Sequence, residues 1–194
     1  MRIKYNAPTV LTYALVCAPV VLLSNSLLPG LADKWFTVPG RGRFLPLNLR
    51  NLVTILTHAA GHASWGHLAG NFSIILLIGP MLEENYGSFT LLLMMVITAA
   101  VTGILNALLF PTSLMGASGV AFMMILLASF TNFSRGEIPV TFILVLLLFL
   151  GEQLVKSLSS DNISYFAHIA GGFCGSLFGF FLPPEKARRQ AASF

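Results

Sequence analysis

Ser118 lies in Gly116-Ala117-Ser118-Gly119, directly before the apolar run Val120 to Phe130. A serine hydroxyl becomes a nucleophile when a neutral base within hydrogen-bond reach takes its proton. Four histidines are available: His58, His62, His67 and His168. Three of them fall in the stretch from Thr57 to Asn71, and the fourth in Ala167-His168-Ile169-Ala170-Gly171-Gly172. Asn71 follows His67 by four residues, so the two share one helix face. An acyl-transfer centre also needs donors aimed at a developing oxyanion. His67, the Asn71 amide and the Ser118 backbone N–H can supply them. No carboxylate completes a triad, because Glu152 can pair with Lys156 at i+4 and Asp161 lies about two turns from His168. The chemistry legible here is a Ser118–His168 dyad.

Two other readings compete at these residues. A lone Gly-x-Ser-Gly is usually a helix N-cap beside a packing glycine. His58 and His62 at i,i+4, with His67, can also ligate zinc. No His-Glu-x-x-His occurs, however, and no carboxylate or thiol accompanies the cluster. The expectation is therefore no metal and no cofactor, with His58 reading as an interfacial hydrogen-bonding residue.

The elements that must position these groups are membrane spans. Of the 194 residues 56% are hydrophobic and only 9% charged, against about 25% charged in a soluble domain. The net charge of +4 is scattered or terminal, with no basic stripe for nucleic acid. Cys17 and Cys174 sit in apolar stretches and read as small hydrophobic residues. The apolar pattern predicts a single all-α membrane domain over 1–194, with helices at about 8–29, 66–86, 88–110, 118–132, 138–157 and 163–182. The first run is longer than a signal-peptide core, so it reads as a span. Between the first two spans the 30–56 connection mixes Lys34, Arg41, Arg43 and Arg50 with Trp35, Phe36, Phe44, Leu45 and Leu47. Basic and aromatic residues together suit a headgroup-level, interfacial loop.

Parity then brings the polar groups to one depth. Spans two, four and six run in the same direction, and Asn71, Ser118 and His168 each lie near the start of one of them. The fourth helix is shorter than the ~20 residues a crossing needs. Its N-terminus, with Ser118, therefore begins inside the membrane, where irregular backbone survives only against protein or a water-filled cavity. Gly171, Gly175 and Gly179 repeat every fourth residue on the sixth span, a row that lets another helix approach closely. Six spans put both termini on one side. Six basic residues there (Arg2, Lys4, Arg135, Lys186, Arg188, Arg189) against five opposite (Lys34, Arg41, Arg43, Arg50, Lys156) favour cytoplasmic termini and an active site towards the outer face.

At these residues the chain resembles the rhomboid intramembrane serine proteases. Three signatures occur in order: His62…His67…Asn71, Gly116-Ala117-Ser118-Gly119, and Ala167-His168-Ile169-Ala170-Gly171…Gly175, with a weaker Gly79…Glu83…Gly87. The resemblance covers roughly residues 50 to 182. It implies a six-transmembrane-helix bundle of the bacterial type, with a short fourth helix. Ser118 would be the nucleophile, His168 the base, and His67, Asn71 and Ser118 the oxyanion donors. Gly116, Phe122 and His62 would line the site. It also implies that the 157–162 loop and the fifth span form the substrate gate. Two departures stand out. Val53 and Thr54 occupy the place of the Trp-Arg pair many rhomboids carry, which bears on first-loop anchoring and not on the chemistry. Phe122 stands where a tyrosine often packs on the catalytic histidine, and it can stack without the hydroxyl.

The resulting expectation is a multi-pass protein of the bacterial cytoplasmic membrane. It cleaves single-span membrane proteins near the outer face, at a locally unwound site with a small residue before the cut. The alternatives are a catalytically silent, client-binding relative and, less favoured, a histidine-dependent metal enzyme or transporter.

Overall fold

The computed structural model describes residues 4–130, 138, 140–157, 165–182 and 184, with backbone only for 149, 150 and 152–157. Its elements are helices α1 (Pro8–Ser26), α2 (Leu31–Trp35), α3 (Leu49–Thr57), a 3-10 turn (His58–Ala60), α4 (Trp65–Tyr86), α5 (Ser88–Leu109), α6 (Ser118–Ala128), α7 (Val140–Ser157) and α8 (Tyr165–Phe181). The only extended pairing among the described residues is the antiparallel bridge between Val38 and Leu114. Arg2, Arg135, Lys186, Arg188, Arg189, Asp161 and the 158–162 part of the loop expected to be a gate lie outside the described residues, as do the side chains of Glu152 and Lys156.

Local signals set the helix ends. Pro8 occupies the first turn of α1, where its missing N–H costs nothing. The Ser64 hydroxyl caps α4 by accepting from the His67 N–H at 3.1 Å. Gly87, at φ 81°, ends α4 and starts α5. Among the described residues three helices are long and apolar enough to cross a membrane: α1, α4 and α5. The helices α6 and α8 are apolar but shorter.

The 30–56 connection is more ordered than a loop, since it holds α2 and α3. Asn48 caps α3, its side chain accepting from the Arg50 N–H. This helix is amphipathic with its polar side inward. Asn51 and Thr54 are buried, while Leu49, Leu52, Val53 and Leu56 are exposed, and Leu47 just before them is 99% exposed. Arg50, Asn51 and Thr54 interrupt the apolar run, which is why it does not read as a helix in the sequence. An apolar face turned outward beside basic residues is the pattern of a helix lying in the membrane interface.

At the centre stands α6. Met123, Met124, Leu126 and Leu127 are all fully buried, while Ser118, Phe122, Ile125 and Ala128 form a half-buried stripe along one side of the helix. Its most extensive packing is against α8, followed by α4. The α8 glycines explain the closeness. A Cβ on Gly175 would lie 2.1 Å from the Met123 carbonyl oxygen, so only glycine lets the two backbones touch there. Gly179, the third of the row, faces the ring of Phe130 instead.

Candidate active site

Ser118 is the first residue of α6, half-buried, with Gly119 and Val120 fully packed behind it. At 1.5 Å per residue this 11-residue helix is about 16 Å long, roughly half the hydrocarbon thickness. Ala117 precedes it without a side-chain cap, so the first-turn N–H groups of α6 are not taken up by a capping side chain.

The loop into Ser118 is held from the 58–71 stretch. The Gly116 N–H donates to the His58 carbonyl at 3.0 Å, and the Ala117 N–H to His62 Nε2 at 3.4 Å. Gly116 has φ 134°, a conformation side chains rarely adopt. The space a side chain would need is also occupied: a Cβ on Gly116 would stand 2.8 Å from both Cε1 and Nε2 of His67, and 3.8 Å from Asn71 Nδ2. His67 and Asn71, one turn apart on α4, thus both flank the residue two before Ser118. The Asn71 amide nitrogen is buried and has no hydrogen-bond partner among the described residues.

His168 is brought in by α8. A Cβ on Gly171 would meet the Gly119 carbonyl oxygen at 2.0 Å, and one on Gly119 would meet the Ala167 carbonyl oxygen at 3.3 Å. The two backbones therefore cross with Ser118 and His168 next to the points of contact. The His168 ring packs on Phe122, one turn along α6 from Ser118, with centroids 4.4 Å apart. Tyr165 meets it edge-on at 6.3 Å. Among the described residues no direct hydrogen bond joins the Ser118 hydroxyl to the His168 ring.

The remaining histidines divide in role. His62 lies edge-on to His67, ring centroids 5.1 Å apart, beneath the Gly116–Ala117 peptide. Burial, reinforced by the neighbouring His67, pushes its pKa down to about 4. The Ala60 backbone opposes that shift without meeting hydrogen-bond geometry at Nδ1, which stays unpartnered. His58 is buried with both ring nitrogens engaged, Nδ1 with the Ile55 carbonyl at 3.0 Å and Nε2 with Thr102 Oγ1 at 3.4 Å. Burial holds it near 4 as well. Its imidazole is committed to α3 and α5, and its carbonyl to Gly116.

Two groups of residues near the site escape a sequence reading. Thr98, Thr102 and Asn106 form a buried polar row on α5. Their i,i+4 repeat inside an apolar span is a signal the sequence does carry. The contacts of Val38, Gly40 and Arg43 with the 110–114 segment join positions about 70 residues apart, and no local pattern announces them.

A family model described as the Rhomboid domain matches residues 49–185. The Rhomboid protease GlpG of Haemophilus influenzae is 27% identical over 128 residues, covering 64% of this chain and 67% of that protein. The Rhomboid-like protein 11, chloroplastic, of Arabidopsis thaliana is 25% identical over 162 residues, covering 75% of this chain and 58% of that one. The matched region runs from the start of α3 through α8 and takes in His62, His67, Asn71, Gly116, Ser118, Phe122 and His168. On that match the chain belongs to the rhomboid family.

Proposed function

We propose that this chain is an intramembrane serine endopeptidase. It cleaves transmembrane segments of single-span membrane proteins near the outer face, by a Ser118–His168 dyad. The observation that supports this reading is the close approach of Gly119 to Gly171 and Ala167, the sequence neighbours of Ser118 and His168, at the start of α6. In this reading α1 and α4 to α8 are the six spans, with both termini cytoplasmic in a bacterial membrane.

The chemistry follows from the groups present. The Ser118 oxygen attacks the scissile carbonyl carbon while neutral His168 takes the hydroxyl proton. The carbonyl π pair moves to oxygen, and the oxyanion receives hydrogen bonds from Asn71 Nδ2, the His67 ring and the Ser118 N–H. Collapse expels the amine, which takes the proton from His168, and leaves an acyl-serine. Water, deprotonated by His168, then releases the acid and restores the serine. The Ser118–His168 hydrogen bond forms on substrate binding, as catalytic bonds often tighten only in the Michaelis complex. A substrate helix hides its carbonyls, so the cleaved stretch is one that unwinds readily.

The test is cleavage of a panel of single-span substrates in liposomes, with cut sites mapped by mass spectrometry and Ser118→Ala as control. Cleavage by the parent chain and none by the variant is the expected result. Cleavage that survives Ser118→Ala removes the assignment. A folded parent chain that binds the substrates, cuts none and resists fluorophosphonate labelling at Ser118 points instead to a client-binding relative.

A further inference from the structure

The first loop makes contacts that neither the dyad nor the oxyanion donors account for. Val38 and Leu114 exchange both backbone hydrogen bonds, at 2.9 and 3.0 Å. The Arg41 N–H donates to the Phe110 carbonyl at 2.6 Å. Arg43 Nη2 donates to the Pro111 carbonyl at 3.0 Å and reaches Ser113 Oγ at 3.3 Å. Gly40 lies so close that a Cβ there would stand 2.2 Å from the Pro111 carbonyl oxygen. The whole 37–43 segment thus runs alongside 110–115, the strip of chain that delivers Ser118.

The same segment also shares a cluster with the helix that carries the other half of the dyad. The Val38 side chain is fully buried in a small cluster with Leu114, Ala107 of α5 and Ala167 of α8. Leu114 lies four residues before Ser118, and Ala167 immediately precedes His168. Val38 therefore shares one apolar cluster with residues that adjoin both.

We infer that residues 37–43 form a brace that sets the Ser118–His168 separation, with Val38, Gly40 and Arg43 as positioning residues; this rests on the protease reading above. The brace supplies a first-loop anchor in a chain that has Val53 and Thr54 at the place where the resemblance leads one to expect Trp-Arg. Its polar end is the Arg43 guanidinium, whose Nη2 alone meets both the Pro111 carbonyl and Ser113 Oγ. Its apolar end is Val38. Between them Gly40 permits the contact that a side chain would force open.

The experiment compares Arg43→Ala, Arg43→Lys and Gly40→Ala with the parent chain, full-length and in liposomes. Three quantities are read: kcat and KM on a cleaved substrate, the rate of fluorophosphonate labelling at Ser118, and amide hydrogen exchange at Val38 and Leu114. A displacement of an ångström in a reacting pair can cost on the order of a hundredfold. Arg43→Ala is expected to lower kcat by about tenfold or more, with KM within about twofold, and to slow labelling in proportion. Arg43→Lys, which keeps a donor but loses the guanidinium, recovers part of the rate. Exchange at Leu114 speeds up while the thermal midpoint moves little, because Arg43 is exposed. Unchanged kcat and labelling in folded Arg43→Ala, with exchange accelerated, overturn the inference, since the clasp then holds the loop without setting the chemistry. Unchanged exchange overturns it too. If Gly40→Ala does not fold, the Arg43 pair carries the test. A parent chain that Ser118 probes never label fails the protease reading instead, while the exchange measurement still reports on the clasp.

Discussion

A Cβ on Gly171 would lie 2.0 Å from the carbonyl oxygen of Gly119, so the two backbones touch where α8 crosses α6. Nothing but hydrogen fits between them. Gly171→Ala must therefore push α8 away from α6, or shift it along its axis, and His168 moves with it. We expect a stability loss of about 1–3 kcal/mol, the usual cost of overpacking. Cleavage per folded molecule should fall further than that loss explains, by about tenfold or more. Denaturant titration alongside kcat separates the two effects. A variant that is destabilised yet fully active would show that helix spacing does not control the dyad.

Asn71 offers the opposite dissociation. Its amide nitrogen is buried and has no hydrogen-bond partner among the described residues. Removing an unsatisfied buried donor costs little stability and can raise it. Removing an oxyanion donor typically costs about 10²–10³ in kcat. Asn71→Ala should thus melt at or above the parent temperature while cleaving far more slowly, with KM little changed. Thermal unfolding in detergent and steady-state kinetics check both halves.

Phe122 holds the His168 ring by stacking at 4.4 Å. Such ring pairs contribute about 0.5–1.5 kcal/mol. Phe122→Leu should leave the fold intact and lower kcat by roughly tenfold as the imidazole loses its seat. Phe122→Tyr, which keeps the ring, should retain most activity. Equal losses in both variants would mean the position acts through its hydroxyl-free surface and not through stacking.

Glu83 works at the other end of the bundle. Its two carboxylate oxygens accept from the Thr9 and Val10 N–H groups, at 2.8 and 3.1 Å, capping the first turn of α1 from α4. A glutamine retains only one acceptor. Hydrogen bonds to charged groups are worth about 1.5–3 kcal/mol each, so Glu83→Gln should destabilise by that order and Glu83→Ala by more. Ser118 labelling per folded molecule should not change, because this cap joins the end of α4 to the start of α1 and none of its hydrogen bonds involves the 114–119 segment. Chemical denaturation followed by probe labelling of the folded fraction gives both numbers.

His58 and His62 make stability depend on pH. Both lie in the turn and loop before α4, and burial lowers each to about 4 from an ordinary 6.5. Between those values the unfolded chain binds more protons than the folded one. Stability therefore falls as pH drops from about 6.5 towards 4, and is insensitive to these groups above that window. Melting temperatures across the range should show this slope, and replacing both histidines by glutamine should flatten it. A parent slope retained in the double variant would assign the effect to other groups.

Much of this protein is written locally. The apolar runs, Pro8, Ser64 and Gly87 fix where α1, α4 and α5 begin and end, because capping and burial in lipid depend on nearby residues. The i,i+4 spacing of His67 and Asn71 sets them on one face by helix geometry alone. The glycine row of α8 announces a close approach, though not to what. Three things waited for the tertiary structure. The partner of that row is Gly119 and Met123 for two glycines and the Phe130 ring for the third, a distinction set by where α8 crosses α6. Helix α3 turns its polar side inward because Asn51 and Thr54 meet the bundle, while its leucines face outward. The clasp of Val38 and Arg43 on the 110–114 segment joins residues about 70 apart. Local patterns record which backbone a residue sits on, whereas a contact across such a separation exists only once the intervening helices have packed.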